Sequence, residues 1–233
     1  MIGIIAALDL ELDMIKSALT DVTEEKAGGI VFYKGKYKNN SMVCAVCGMG
    51  KVFAAMCAEA MIIKYLPDLV INTGVAGSLC SELKQLDSAV SEKCVQHDMD
   101  TSPLGDPVGM ISGINKIYFD ADIKAANQLI TCYETKKPKL CTIATGDSFV
   151  SDLEKKKYIV DTFGASVCDM ESGSIAHVCF ANNTPFIISR VMSDGTEGDA
   201  AVDYYTLRGT AADISSKAVL TFIDKYGDQY AGI

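Results

Sequence analysis

Arginine and histidine are scarce in this 233-residue chain: the only arginines are Arg190 and Arg208, and the only histidines are His97 and His177. The formal net charge is −9, from 30 acidic against 21 basic residues. Nucleic-acid binding rests on neutralising phosphates, so a chain this acidic excludes that class of partner. The densest basic run, Lys155-Lys156-Lys157, is expected to be a solvated helix face. With two histidines and no G-x-S-x-G turn, a Ser-His-Asp or Cys-His engine has little to work with. Neither G-x-G-x-x-G nor G-x-x-x-x-G-K-[ST] occurs, which removes the usual dinucleotide and nucleoside-triphosphate folds. No apolar run approaches the ~18 residues of a membrane span. The apolar start Ile2-Gly3-Ile4-Ile5-Ala6-Ala7-Leu8 has no basic flank and runs into Asp9, Glu11 and Asp13, so it is expected to be a first strand and not a secretion signal.

What is present points to a globular α/β protein. Hydrophobic residues make up 49% and charged residues 22%, and the length suits one large domain over residues 1–233. Nine cysteines, an odd number, are expected to be reduced and buried in a cytoplasmic protein. Cys44-x-x-Cys47 lies in a strand-like run where residues three apart face opposite sides, which argues against a shared metal.

The chain alternates strand and helix patterns throughout. Strands are expected at 2–8, 30–37, 41–47, 69–73, 139–144, near 167 and at 185–190. Helices are expected at 9–19, 50–65, 119–132, 151–160, 170–180 and 203–226. Gly74-Val75-Ala76-Gly77 is expected to turn, and residues 98–117 to form a long functional loop. This order predicts a three-layer αβα sandwich around a central mixed sheet, with ligands beyond the carboxyl ends of its strands.

Three acids fall at such strand ends: Glu11, Glu171 and Asp194, the last close to Arg190. Any one alone could be a helix-start acid favoured by the helix dipole. Together they suggest a site. Gly146-Asp147-Ser148-Phe149-Val150 adds an aromatic ring and backbone amides at the same edge, suited to a flat heterocycle. Gly48-Met49-Gly50-Lys51 opens a helix and could be an anion-binding N-terminus or simply a tight turn.

The ordered set Ile4-Ile5-Ala6-Ala7-Leu8-Asp9-Leu10-Glu11, Gly48-Met49-Gly50-Lys51, Val70-Ile71-Asn72-Thr73-Gly74-Val75-Ala76-Gly77, Thr145-Gly146-Asp147-Ser148-Phe149, Asp169-Met170-Glu171-Ser172 and Ser189-Arg190-Val191-Met192-Ser193-Asp194 resembles the 5′-methylthioadenosine/S-adenosylhomocysteine nucleosidases. These belong to the wider purine nucleoside phosphorylase and uridine phosphorylase superfamily. The resemblance implies a nucleoside phosphorylase-like fold and hydrolysis of an N-glycosidic bond, with 5′-deoxyadenosine as a further substrate. It implies that Asp194 protonates N7 of adenine, Glu11 activates water, and Glu171 binds the ribose hydroxyls while Arg190 organises the carboxylates. Phe149 would stack on the base and Val150 read its edge. Leu8, Met49 and Met170 would line the sugar and its 5′-substituent, beside Val75, Ala76 and Gly77.

The resemblance also implies a homodimer in which the 98–105 loop, carrying Leu104 where an aromatic is usual, reaches the partner's pocket. Val75 stands where the family commonly has serine. Which of Val202, Tyr204 or Tyr205 closes the site is left open. No metal or organic cofactor is implied. A phosphorolytic enzyme of the same superfamily is the nearest alternative, and a non-catalytic nucleoside-binding protein the more distant one. Phosphorolysis is disfavoured because phosphate needs arginines and an anionic Glu11 would repel it.

Overall fold

Strand β1 (Ile2–Ala6) is buried at every position, and its side chains alternate between two cores. Ile2, Ile4 and Ala6 face one apolar layer and Ile5 the other, as the period of two in a strand requires. The computed structural model describes residues 1–134, 136–195 and 200–230. After β1 come α1 (Asp9–Ser17), β2 (Thr20–Ala27), β3 (Ile30–Tyr37), β4 (Asn40–Val46), α2 (Lys51–Tyr65), β5 (Leu69–Ser78), β6 (Ser88–Gln96) and β7 (Tyr118–Asp120). The rest is α3 (Ile123–Ile130), β8 (Lys139–Thr145), α4 (Leu153–Phe163), β9 (Val167–Asp169), α5 (Ser172–Ala181), β10 (Phe186–Asp194) and α6 (Ala200–Tyr226).

The strands form one mixed sheet in the order β10-β6-β8-β9-β5-β1-β4-β3-β2, with β7 beside β6. Strand β10 also pairs in parallel with β5, so one part of the sheet closes on itself. On one face pack Leu12 and Ile15 of α1, Ala125 and Leu129 of α3, and Val219 and Phe222 of α6. On the other pack Ala54, Cys57 and Met61 of α2 with Ile175 and Cys179 of α5. A third cluster seats Ile159 and Phe163 of α4 on Val95 and Ala144. The expected αβα layering is therefore the fold. Cys44 joins the α1/α6 layer and Cys47 the α2/α5 layer, on opposite sides of the sheet.

Several expected boundaries shift. Gly74–Gly77 does not turn; β5 runs on through Ser78, because this stretch finds partners in both β9 and β10. Likewise β10 continues past Arg190 to Asp194, paired with β5. Tyr118–Asp120 forms a strand against β6, so α3 begins only at Ile123, capped by the Asp122 carboxylate on the Ala125 N–H at 2.8 Å. Strands β2 and β6 were not foreseen. The expected loop at 98–117 contains only a 3₁₀ turn, Ser102–Leu104, and a bridge between Ile111 and Lys116. Among the described residues no helix is long and apolar enough to cross a membrane.

Candidate active site

The first turn of α1 folds its own acid back onto the chain. Glu11 Oε2 accepts the N–H of Ala7 at 3.0 Å and of Leu8 at 2.9 Å, and Oε1 accepts the N–H of Val75 at 2.9 Å. The Leu8 bond is half of a capping box, since leucine has no acceptor to return the favour. Ser216 of α6 donates to the Glu11 carbonyl at 3.0 Å and fixes the turn from behind. This approach requires glycine at residue 74. A Cβ there would lie 2.5 Å from Glu11 Oε1 and 2.8 Å from Arg190 Nη1. We expect Gly74→Ala to destabilise the fold by about 1–3 kcal/mol and to displace Glu11. A variant with the parent's melting temperature and activity would show that the close approach is dispensable.

Glu171 sits between β9 and α5. Its Oε1 accepts the Gly50 N–H at 3.0 Å, and its Oε2 lies 3.8 Å from Arg190 Nη2. The N-terminus of α2 is thus occupied by the chain's own carboxylates, because Asp147 Oδ1 also accepts the Lys51 N–H at 2.8 Å. That bond holds the 146–150 turn in place, with Lys51 Nζ on Asp98 Oδ1 at 2.6 Å and the Asp147 N–H on Asp98 Oδ2 at 2.9 Å. Of the two readings of Gly48–Lys51, the tight turn is the one seen, and its N–H groups anchor the chain's own carboxylates.

Asp194 ends β10 at 2% exposure. Its Oδ1 accepts the Ser193 hydroxyl at 2.9 Å, and Oδ2 lies 4.0 Å from Lys156 Nζ. A Cβ at Gly77 would be 3.0 Å from Oδ2, so this strand position too is kept bare for a carboxylate. With Val75 in place of a serine, it is Ser193 that supplies a hydroxyl to Asp194.

Arg190 is buried beneath these groups and is not on the cavity wall. Its Nε and Nη2 donate to Asp169 Oδ2 at 2.8 and 2.7 Å, and Nη2 also reaches Asn72 Oδ1 at 2.5 Å and Ser172 Oγ at 3.0 Å. Asp169 accepts in turn from Thr145 Oγ1 at 2.5 Å. Arg190 thus lies one layer below the cavity and not on its wall, with its Nε and Nη2 donors engaged by Asp169, Asn72 and Ser172.

Burial raises all three site carboxyls above their ordinary values. For Glu11, desolvation is opposed by the charge of Arg190 and by the three amides. For Glu171, desolvation is reinforced by Asp169 and opposed by Arg190 and the Gly50 N–H. For Asp194, desolvation is opposed by the Ser193 hydroxyl and Lys156. Acids and bases whose proton affinity is lifted toward neutrality are suited to proton transfer there.

A cavity of about 380 Å³ opens over these acids. Its wall includes Leu8, Glu11, Met49, Val75, Ala76, Gly77, Phe149, Val150, Met170, Glu171 and Asp194, which brings together eleven of the residues marked in the sequence. Leu104 is outside it, on the 3₁₀ turn and 84% exposed. Of the three candidates for closing the site, Tyr204 and Tyr205 line the cavity and Val202 does not. Phe149 meets Tyr204 edge-on at 5.9 Å between centroids, an aromatic corner that leaves ring surface free for a planar ligand. Ser148 and Ser193, from the quoted motifs, also contribute to the wall, as do Cys168 and Ala201, which no motif marked. Among the described residues, no lysine, arginine or histidine lines the cavity.

The family model described as "Phosphorylase superfamily" matches residues 1–224. A 5′-methylthioadenosine/S-adenosylhomocysteine nucleosidase of Haemophilus influenzae is 35% identical, covering 96% of this chain and 99% of its own. An aminodeoxyfutalosine nucleosidase of Campylobacter jejuni is 34% identical, with 96% and 98% covered. An S-adenosylhomocysteine nucleosidase from Streptococcus pyogenes, solved with 5-methylthiotubericidin, superposes with a TM-score of 0.91 at 30% identity, covering 96% of each chain. Fold and sequence agree, and the chain belongs to the phosphorylase superfamily, alongside the methylthioadenosine/S-adenosylhomocysteine nucleosidases.

Proposed function

We propose that the chain hydrolyses the N-glycosidic bond of 5′-methylthioadenosine and S-adenosylhomocysteine, releasing adenine and the free 5-substituted ribose. The observation that carries hydrolysis over phosphorolysis is the electrostatics of the cavity. Four buried carboxyls, of Glu11, Asp169, Glu171 and Asp194, line it and, among the described residues, no cationic side chain does. Inorganic phosphate would enter against like charge with no guanidinium to receive it, whereas water needs only a base. The relatives' names carry the choice of nucleoside.

In the reaction, the C1′–N9 bond breaks and its electron pair goes to the purine, leaving positive charge on the sugar. Asp194 gives its proton to N7, so the base departs neutral. Glu171 faces the ribose hydroxyls and stabilises the cationic sugar. Glu11 takes a proton from water as the oxygen bonds to C1′. Base and acid act as separate groups, which suits direct attack by water and needs no glycosyl-enzyme intermediate. Phe149 and Tyr204 flank the adenine, and Met49 and Met170 the sugar and its 5′-substituent.

The exposed apolar side chains of α2, among them Val52, Phe53, Met56 and Ile63, support a homodimer in which Leu104 of one protomer approaches the pocket of the other. Eight of the nine free cysteines are buried, which fits a reducing, cytoplasmic setting.

The test is incubation with methylthioadenosine, with and without phosphate, and identification of both products. Adenine and methylthioribose at a rate independent of phosphate are expected. Phosphate-dependent formation of a sugar 1-phosphate would make it a phosphorylase. Running S-adenosylhomocysteine, 5′-deoxyadenosine and aminodeoxyfutalosine alongside ranks the nucleosides.

A further inference from the structure

Lys156 lies in the second turn of α4, between the half-buried Lys155 and the exposed Lys157. Lys157 is exposed and pairs with Asp161, and Lys155 donates to Ser148 Oγ at 2.6 Å. Lys156 alone turns inward and is 6% exposed. The expectation of a solvated lysine face is therefore corrected at this one position. A lysine is almost never buried to this degree without an anion or strong acceptors to compensate it. Here they are the carbonyl of Gly195, to which Nζ donates at 2.8 Å, and Asp194 Oδ2 at 4.0 Å.

We propose that Lys156 is a positioning residue for the acid of this site, holding the end of β10 and setting how readily Asp194 gives up its proton. The inference rests on the reading of Asp194 as the acid. Each element packed around that carboxyl contributes something different. Ser193 on β10 donates a hydroxyl, Gly77 on β5 leaves room, and Cys168 on β9 is an apolar neighbour whose thiol stays protonated. Asp203 on α6 presents like charge, and Lys156 on α4 presents the opposite one.

Burial and Asp203 favour the protonated carboxyl, which is the form needed when substrate arrives. They also oppose the carboxylate that remains once the proton has moved to the purine. An ammonium 4.0 Å from Oδ2 offsets that cost as the O–H bond breaks and the N7–H bond forms. An opposite charge at this range favours the ionised partner. The bond to Gly195 adds a geometric effect, since it fixes the main chain where β10 ends and so the direction in which the carboxyl points. The residue supplies no atom to the substrate and does not line the cavity.

The experiment compares Lys156→Met, Lys156→Gln and Lys156→Arg with the parent by two readouts. Carbon-13 labelling of aspartate carboxyls follows the titration of Asp194 directly, its signal identified by its absence in Asp194→Asn. The pH profile of kcat/KM for adenine release follows the same group in turnover. With Met or Gln, Asp194 should become about tenfold weaker as an acid, and the alkaline limb of the profile should move up in pH by the same factor. Arg, which keeps the charge, should leave both near the parent. Gln keeps a donor for Gly195, so the charge effect is read even where Met folds poorly.

An Asp194 signal that titrates alike in all four proteins overturns the proposal, whatever happens to activity or stability. Failure of the parent to release adenine from any nucleoside tried would instead overturn the proposed function. The carboxyl titration would then still decide whether Lys156 controls Asp194.

Discussion

Asp194→Asn should lower kcat for adenine release by about 10²–10⁴-fold, the range a general acid supplies, while KM stays within a few-fold of the parent. The substitution keeps the shape of the side chain, and an amide oxygen can still accept the Ser193 hydroxyl now 2.9 Å from Oδ1. What it removes is the proton. The fold should tolerate the change. A carboxyl raised by burial stabilises the folded state fully below its unfolded pKa and loses that contribution as pH rises through the folded value. At neutral pH the native Asp194 therefore carries a desolvation cost that asparagine does not, against which stands the lost pairing with Lys156. Melting within about 3 °C of the parent is expected. Turnover within threefold of the parent would remove Asp194 as the acid.

Glu11→Gln should be equally inactive but should also melt early. Three main-chain N–H groups, of Ala7, Leu8 and Val75, converge on its two oxygens. A glutamine has one oxygen, so its NH₂ must face at least one N–H donor across a buried contact. An unsatisfied buried donor costs about 1–3 kcal/mol, which in a chain of this size lowers the melting temperature by several degrees. The pair of variants thus separates two ways of losing the same activity. Asp194→Asn loses chemistry in an intact fold, and Glu11→Gln loses chemistry and a structural anchor together. Adenine release at the parent's rate by Glu11→Gln would take it out of the mechanism.

The parts of this site that a reader of the sequence can find are those tied to regular patterns. The apolar strand β1 and the apolar start of β5, Leu69 to Ile71, are unmistakable, and an acid at the end of such a strand has a predictable address. Glu11, Glu171 and Asp194 were legible for that reason. Strand β2 was not, because Thr20–Ala27 lies at the sheet edge with most side chains exposed and so has no alternation to reveal it. Strand β6 mixes Ser88, Ser91 and Gln96 into its buried positions, which breaks the apolar run that would have marked it. Lys156 was hidden by its company: one inward lysine among three carries no compositional signal, and only the rotation of α4 against β10 singles it out. Arg190 was legible as a partner of the carboxylates, but its depth beneath the cavity was not, because proximity along the chain to Asp194 does not say which groups a buried guanidinium meets. Its guanidinium serves Asp169 and Glu171, which come from β9 and the start of α5.

The means by which Glu11 is held has a consequence for how such a protein can drift. Its carboxylate is gripped by peptide groups, which every amino acid except proline supplies, so the side chains at residues 7, 8 and 75 are free to vary without loosening the base. Valine at residue 75, where the resembling family commonly has serine, still presents its N–H to Oε1 at 2.9 Å. Asp194 has the opposite arrangement, resting on the side chains of Ser193 and Lys156. One proposed catalytic group is thus buffered against mutation in its surroundings and the other exposed to it. A lineage carrying this fold can remodel the surroundings of Glu11 cheaply, while those of Asp194 can change only in concert.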